Sequence, residues 1–208
     1  KSEKILFIFL IVLAVSAFSS FFLLKNKCLF IDNNDLKKLN FENPNNIAVI
    51  NLECGNVIIE LYPEISPKAV ERFKILIEKK MYDGSAFYKV VENTLVQAGD
   101  IEFGNIKYLD YSKIGSGKSG LGLLKSELSD DFEFIEGSVG FARSTEFDSE
   151  DSEFFISLKD IPIYQGEYTP IGKVKFGLDI LKKIKTGNKA IYVLRPDYIK
   201  TFRMLETN

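Results

Sequence analysis

The chain has 208 residues, 46% of them hydrophobic, with 27 basic against 29 acidic side chains, which suits one domain plus an accessory segment. It contains no histidine, and that excludes Ser-His-Asp and Cys-His catalysis, histidine general bases and every His-containing zinc site. Two cysteines, Cys28 and Cys54, cannot build a four-thiolate metal site, and a net charge of -2 argues against nucleic acid as the main partner.

Residues 5–24, ILFIFLIVLAVSAFSSFFLL, carry no charge and lie between Lys1 and Lys4 on one side and Lys25 and Lys27 on the other. At about 1.5 Å per residue they cover a hydrocarbon core of about 30 Å. Residues 1–25 therefore read as a transmembrane signal anchor or as a signal segment cleaved near Ala17-Phe18-Ser19. The apolar run continues from Phe21 to Leu24 past that site, which favours the anchor over cleavage or a buried soluble helix. Basic residues on the two flanks nearly balance and specify orientation poorly. The expectation is a single-pass membrane protein whose soluble domain lies outside the cytoplasm. Residues 26–46, rich in Asn and Lys, read as a polar linker. Nothing places Cys28 of this linker beside Cys54, and the two are read as free thiols.

From residue 47 the pattern becomes that of strands. Residues 47–53 and 57–62, joined by a turn at Cys54-Gly55-Asn56, form a hairpin. Ser66-Pro67, a cap residue followed by proline, opens a helix to about Lys80 with Val70, Phe73, Leu76 and Ile77 on one face. Two strands follow at 86–91 and 94–97, then a long irregular stretch from Asp100 to Phe134. Later strands are expected at 137–142, 154–157, 168–174 and 198–205, with a second helix over 178–184. Many strands and two separated helices predict a mainly β domain over 47–208, a closed antiparallel barrel of about eight strands capped by two helices.

Five blocks, in order, carry a resemblance. Gly55 to Tyr62 with Ser66 to Phe73 is the first, and Tyr82-Asp83-Gly84 through Phe87-Tyr88-Lys89-Val90 the second. Val96-Gln97-Ala98-Gly99-Asp100 follows, then Gly137 to Arg143 with Ser152 to Ile156, and Ile171 to Val174 with the helix after Gly177. Over roughly residues 46–206 the chain resembles the cyclophilins, a family of peptidyl-prolyl cis-trans isomerases. The resemblance implies binding of proline-containing peptide segments or client proteins, with no cofactor and no metal. Rotation about an X-Pro bond crosses a barrier of about 18–20 kcal/mol set by amide resonance, and a cationic donor at the prolyl amide stabilises the twisted state.

In the family that donor is an arginine, and the matching position is Lys89, which keeps the charge but loses the planar fork. The resemblance assigns catalysis to Lys89 and Gln97. It assigns substrate binding to Thr94, Leu95, Ala142, Arg143, Glu153, Phe155, Ile163, Tyr164 and Tyr168. Tyr88 and Tyr168 stand where the family has histidines, and Glu153 replaces a second glutamine. A proline-sized apolar pocket is expected from Leu95, Phe155, Tyr164 and Tyr168, and an ion pair between Lys89 and Glu153 is the competing use of the lysine.

Ten acids and one base, Arg143, lie between Glu127 and Glu153, leaving the rest of the chain with 26 basic and 19 acidic residues. This run reads either as one wall of the groove, steering basic peptides, or as a solvated loop. Gly115-Ser116-Gly117-Lys118-Ser119-Gly120 fits a GxGxxG string, but no helix opens after it, so no nucleotide partner is expected. Two functions follow: a membrane-tethered isomerase or folding assistant weakened by Lys89, or a catalytically silent peptide-binding or scaffold subunit.

Overall fold

The computed structural model describes residues 2–25, 27–28, 31, 39–187 and 192–206. The uncharged run forms helix α1 (Ser2–Lys25), whose side chains from Lys4 to Phe21 are exposed. It is long and apolar enough to cross a membrane, a test that an anchor and a signal sequence both pass.

The domain begins with the expected hairpin, β1 (Ile47–Leu52) and β2 (Gly55–Leu61), paired in register from Ile47 opposite Glu60 to Leu52 opposite Gly55. Helix α2 (Pro67–Glu78) follows and buries Ala69, Val70, Phe73, Leu76 and Ile77, the face its periodicity marked. Its Phe73 ring sits among Tyr82, Phe141, Phe154 and Phe202 at centroid distances of 5.2–5.8 Å and joins helix to sheet. The helix start differs from the expectation. The Ser66 hydroxyl makes no cap and is buried without a hydrogen-bond partner among the described residues. The Glu127 carboxylate instead accepts the Lys68 and Ala69 N–H groups at 3.3 and 2.8 Å. A full negative charge stabilises these free amides better than a hydroxyl does.

The remaining elements are β3 (Lys89–Val91), β4 (Leu95–Ala98), β5 (Ser138–Phe141), β6 (Phe154–Ser157), β7 (Pro170–Phe176), α3 (Leu178–Leu181) and β8 (Thr201–Met204). They form one curled antiparallel sheet in the order β3-β4-β6-β5-β7-β2-β1-β8. The sheet is open: β3 and β8 are its edges and share no ladder. Segment 192–199 lies across the gap through isolated bridges, Lys89 to Tyr192 and Ala86 to Tyr198. Pro196, which lacks an N–H, and Arg195, at φ 54°, prevent a regular strand there.

The cysteine expectation is overturned. Cys28 and Cys54 form a disulfide, with Cα atoms 4.9 Å apart. Lys27, one residue earlier, pairs with Glu53 at 2.7 Å and with Asp197 and brings its neighbour to the hairpin turn.

Candidate active site

Strand register assembles the site. Lys89 lies opposite Gln97, Gln97 opposite Phe155, and Phe155 opposite Gly140, so one row crosses β3, β4, β6 and β5 on one face. Gly140 is required in this row. A Cβ there would stand 2.6 Å from the Phe155 ring and 2.9 Å from that of Phe134.

The polar end of the row borders a cavity of about 410 Å³, lined by Lys89, Gln97, Ala142, Arg143, Glu153 and the loop from Gly115 to Lys118. Lys89 is half-buried and makes no ion pair or side-chain hydrogen bond among the described residues. The alternative pairing with Glu153 is therefore not made, because Glu153 is engaged elsewhere. Its Oε2 accepts from the Tyr88 hydroxyl and, at 2.9 Å, from Gln97 Nε2, which also donates to the Tyr88 oxygen at 2.6 Å.

Burial raises the Glu153 carboxyl above its ordinary range, and the hydrogen bonds from Tyr88 and Gln97 oppose that rise. Burial, followed by the Glu153 charge, pushes the Tyr88 hydroxyl far up, so it remains a donor. A carboxylate only accepts, so Gln97 turns its NH₂ toward Glu153. Its Oε1 takes no hydrogen bond from the described residues and is left as an acceptor.

The apolar residues also come together, but as a packed cluster. Leu95 and Phe155 are 4% and 2% exposed, packed with Phe132, Phe134 and Ile161. Tyr164 and Tyr168 stack on each other at 4.4 Å, and each ring is 5.3 Å from that of Phe155. The two tyrosines cover Phe155 where an open pocket was expected. Arg143 joins the two halves. Its guanidinium lies 4.9 Å from the Tyr168 ring and 4.2 Å from that of Phe147, and it bonds the Glu167 carbonyl and carboxylate at 3.0 and 3.2 Å. Thr94 sits at the β3–β4 turn, its hydroxyl donating to the Glu92 carbonyl, and it does not line the cavity. Ile163 is 77% exposed in the 3-10 turn Pro162–Tyr164 and also stands outside the cavity lining.

Sequence reasoning placed Tyr88 beside the site but missed its bond to Glu153, and it missed Ser116, Lys118, Asp151 and Tyr192 on the cavity wall. The glycine string offered a signal for the first two. Its amides are already occupied: Gly115 and Gly117 donate to Asp100, Lys118 to Glu102 and Ser119 to Asp151. A phosphate would have to displace three protein carboxylates. Several acids of the 127–153 run are likewise used inside the fold, Glu127 at α2, Glu150 on the Thr169 hydroxyl and Asp151 on Ser119 and Arg72.

The family model described as cyclophilin type peptidyl-prolyl cis-trans isomerase/CLD matches residues 47–203. The chain belongs to the cyclophilin family. A probable peptidyl-prolyl cis-trans isomerase of Brucella suis biovar 1 (strain 1330) is 40% identical over 148 residues, covering 71% of this chain and 75% of that protein. A peptidyl-prolyl cis-trans isomerase of Acinetobacter baylyi (strain ATCC 33305 / BD413 / ADP1) is 28% identical over 153 residues, 71% of this chain and 76% of its own. Among solved cyclophilin structures, that of a Cryptosporidium parvum cyclophilin type isomerase, in the presence of the dipeptide ala-pro, superposes with a TM-score of 0.67 at 23% identity. It covers 78% of this chain and 99% of the other. At that identity the likeness is one of fold.

Proposed function

We propose that this cyclophilin is a peptidyl-prolyl cis-trans isomerase tethered to a membrane by α1, acting outside the cytoplasm on proline-containing segments of client chains. The observation that carries the catalytic reading is Lys89. It is a cation without a partner among the described residues, directly across the ladder from Gln97, on the wall of a cavity large enough for several peptide atoms. As the X-Pro bond twists, resonance is lost and the prolyl nitrogen becomes more basic, so a nearby ammonium stabilises the transition state more than the planar ground state. Gln97 Oε1 is free to accept a peptide N–H while Glu153 and Tyr88 hold its other end. Lysine directs its charge less sharply than arginine, so the rate is low for the family. The Cys28–Cys54 bond supports the extracytoplasmic placement, because disulfides persist in oxidising compartments.

A peptide-exchange or protease-coupled assay on a prolyl peptide tests this. The wild-type chain should exceed the spontaneous rate, Lys89→Ala should lose roughly a hundredfold in kcat/KM, and Lys89→Arg should gain. Covering of Phe155 by Tyr164 and Tyr168 favours a second reading, a silent binding or scaffold subunit. A wild-type rate equal to the spontaneous one would leave that reading standing alone.

A further inference from the structure

Read as a spacer, residues 26–46 would let the domain stand up to about 70 Å from the end of α1 at full extension. The disulfide removes that freedom. Cys28 lies three residues beyond Lys25, the last residue of α1, and those three residues reach at most about 11 Å. Adding the 4.9 Å between the two Cα atoms, Cys54 stands no more than about 16 Å from the helix end, however the rest of the chain is arranged.

Other contacts fix which face is held there. Lys27 pairs with Glu53 and Asp197 and shares a crevice with Cys54, Lys183 and Ile184. Asp197 also accepts the Lys185 N–H, and the Lys185 ammonium donates to the Leu194 carbonyl. Segments 183–185 and 194–197 therefore surround the point of attachment. Lys27 bridges Glu53 and Asp197, which leaves one of those two negative charges uncompensated, and Lys182 is paired with Glu136. The side-chain cations of Lys183, Lys185 and Arg195 have no carboxylate partner among the described residues and outnumber that residual charge and Asp179 by three to two, while Leu194 is 64% exposed among them. Unpaired cations around an exposed apolar side chain match an anionic bilayer surface, where the charges meet headgroups and the apolar group enters the interface.

We propose that the Cys28–Cys54 bond turns the linker into a strap that seats the domain on the membrane, with the face of Lys183, Lys185, Leu194 and Arg195 against anionic lipid headgroups. This rests on the reading of α1 as an anchor. The domain then works at the bilayer surface when oxidised, and reduction releases it to the length of the linker.

The chain contains no tryptophan, so Leu194→Trp introduces a single tryptophan, excited selectively over the tyrosines, at an exposed position. The full chain, reconstituted into phosphatidylglycerol-rich vesicles, is probed with headgroup spin-labelled lipid, and Leu123→Trp serves as a second exposed reporter on the Gly-rich side. Quenching at 194 should exceed that at 123 severalfold and fall to the same level after reduction or in Cys54→Ser. In Lys183→Glu with Arg195→Glu, or in pure phosphatidylcholine, it should weaken. Equal quenching at the two positions, or quenching indifferent to reduction, overturns the seating, and indifference to lipid charge overturns the choice of headgroup. Flotation of the same vesicles separates the two readings. A chain that floats without differential quenching refutes the strap alone, whereas one that does not float refutes the anchor and the strap with it.

Discussion

Replacing Gly117 by alanine should unfasten the loop that walls the cavity. An ideal Cβ at this position falls 2.0 Å from Asp100 Oδ1, 2.8 Å from its Cγ and 2.9 Å from Glu102 Cβ. Asp100 cannot yield cheaply. It is fully buried, and its oxygens accept N–H groups from Glu102, Phe103, Gly115 and Gly117 at 2.6–3.2 Å. Moving the loop far enough to fit a methyl group breaks the bonds to Gly115 and Gly117. At about 1.5–3 kcal/mol for each bond to a charged acceptor the loss is about 3–6 kcal/mol, and water entering the opened loop brings the expectation to about 3 kcal/mol. With a slope near 2 kcal/mol per molar urea, the unfolding midpoint should drop by about 1.5 M. Gly120→Ala is the control. No atom lies within 4 Å of its Cβ, and only its φ of +76° opposes a side chain, so it should cost about 1 kcal/mol. A Gly117→Ala midpoint within 0.3 M of wild type, or equal losses at the two glycines, would show that the Asp100 contacts do not hold the loop.

Three further outcomes are expected. Glu127→Ala should destabilise the domain by about 1–2 kcal/mol through loss of the α2 cap, read by urea unfolding, whereas Ser66→Ala should change little. Burial opposes ionisation of Asp83, but the two-point contact with Arg203 and the Phe202 N–H outweigh it and hold the carboxyl below its ordinary value. Its contribution is therefore complete above about pH 4 and disappears as pH falls through the depressed folded value; Asp83→Asn should flatten that acid limb and cost about 1 kcal/mol at neutral pH. Glu153 has the opposite sign: burial raises its folded value, so stability declines as pH rises from about 4.3 through that value. Thermal melts of Glu153→Gln should lack this decline, and kcat/KM should fall roughly fivefold, about 1 kcal/mol, as the bond that orients Gln97 exchanges a charged acceptor for a neutral one.

What could be read from the chain beforehand was what repeats locally. Alternation marked the β1–β2 hairpin, and the 3.6-residue period marked the buried face of α2, because both patterns record which side of an element meets the core. The strands that carry Lys89, Gln97 and Phe155 were marked by their motifs, but the register that aligns the three in one row was not. Long-range partners had no such record. Ser66 before Pro67 resembles a cap at every local level, yet the carboxylate that caps α2 comes from Glu127, about sixty residues away. Cys28 meets Cys54 where Lys27 pairs with Glu53 and with Asp197, far along the chain. Side-chain rotation was equally hidden: the residues of an apolar pocket can be named from their strands, but not that Tyr164 and Tyr168 stack over Phe155. The expected rivalry of Lys89 and Glu153 was decided by Tyr88, whose hydroxyl reached the carboxylate first.

Segment 192–199 has a consequence for solubility. Strand β3 is an edge, and an edge with free N–H and C=O groups is a template on which another extended chain can pair. Here the approach to that edge is occupied: Phe87 N–H donates to the Asp197 carbonyl, and Val193 N–H donates to the Tyr88 carbonyl, at 2.9 and 2.8 Å. Asp197 is also the residue whose carboxylate Lys27 holds. The open seam of this cyclophilin is thus guarded against strand pairing by a short irregular segment, and the guard is latched by a lysine from the segment that precedes the domain.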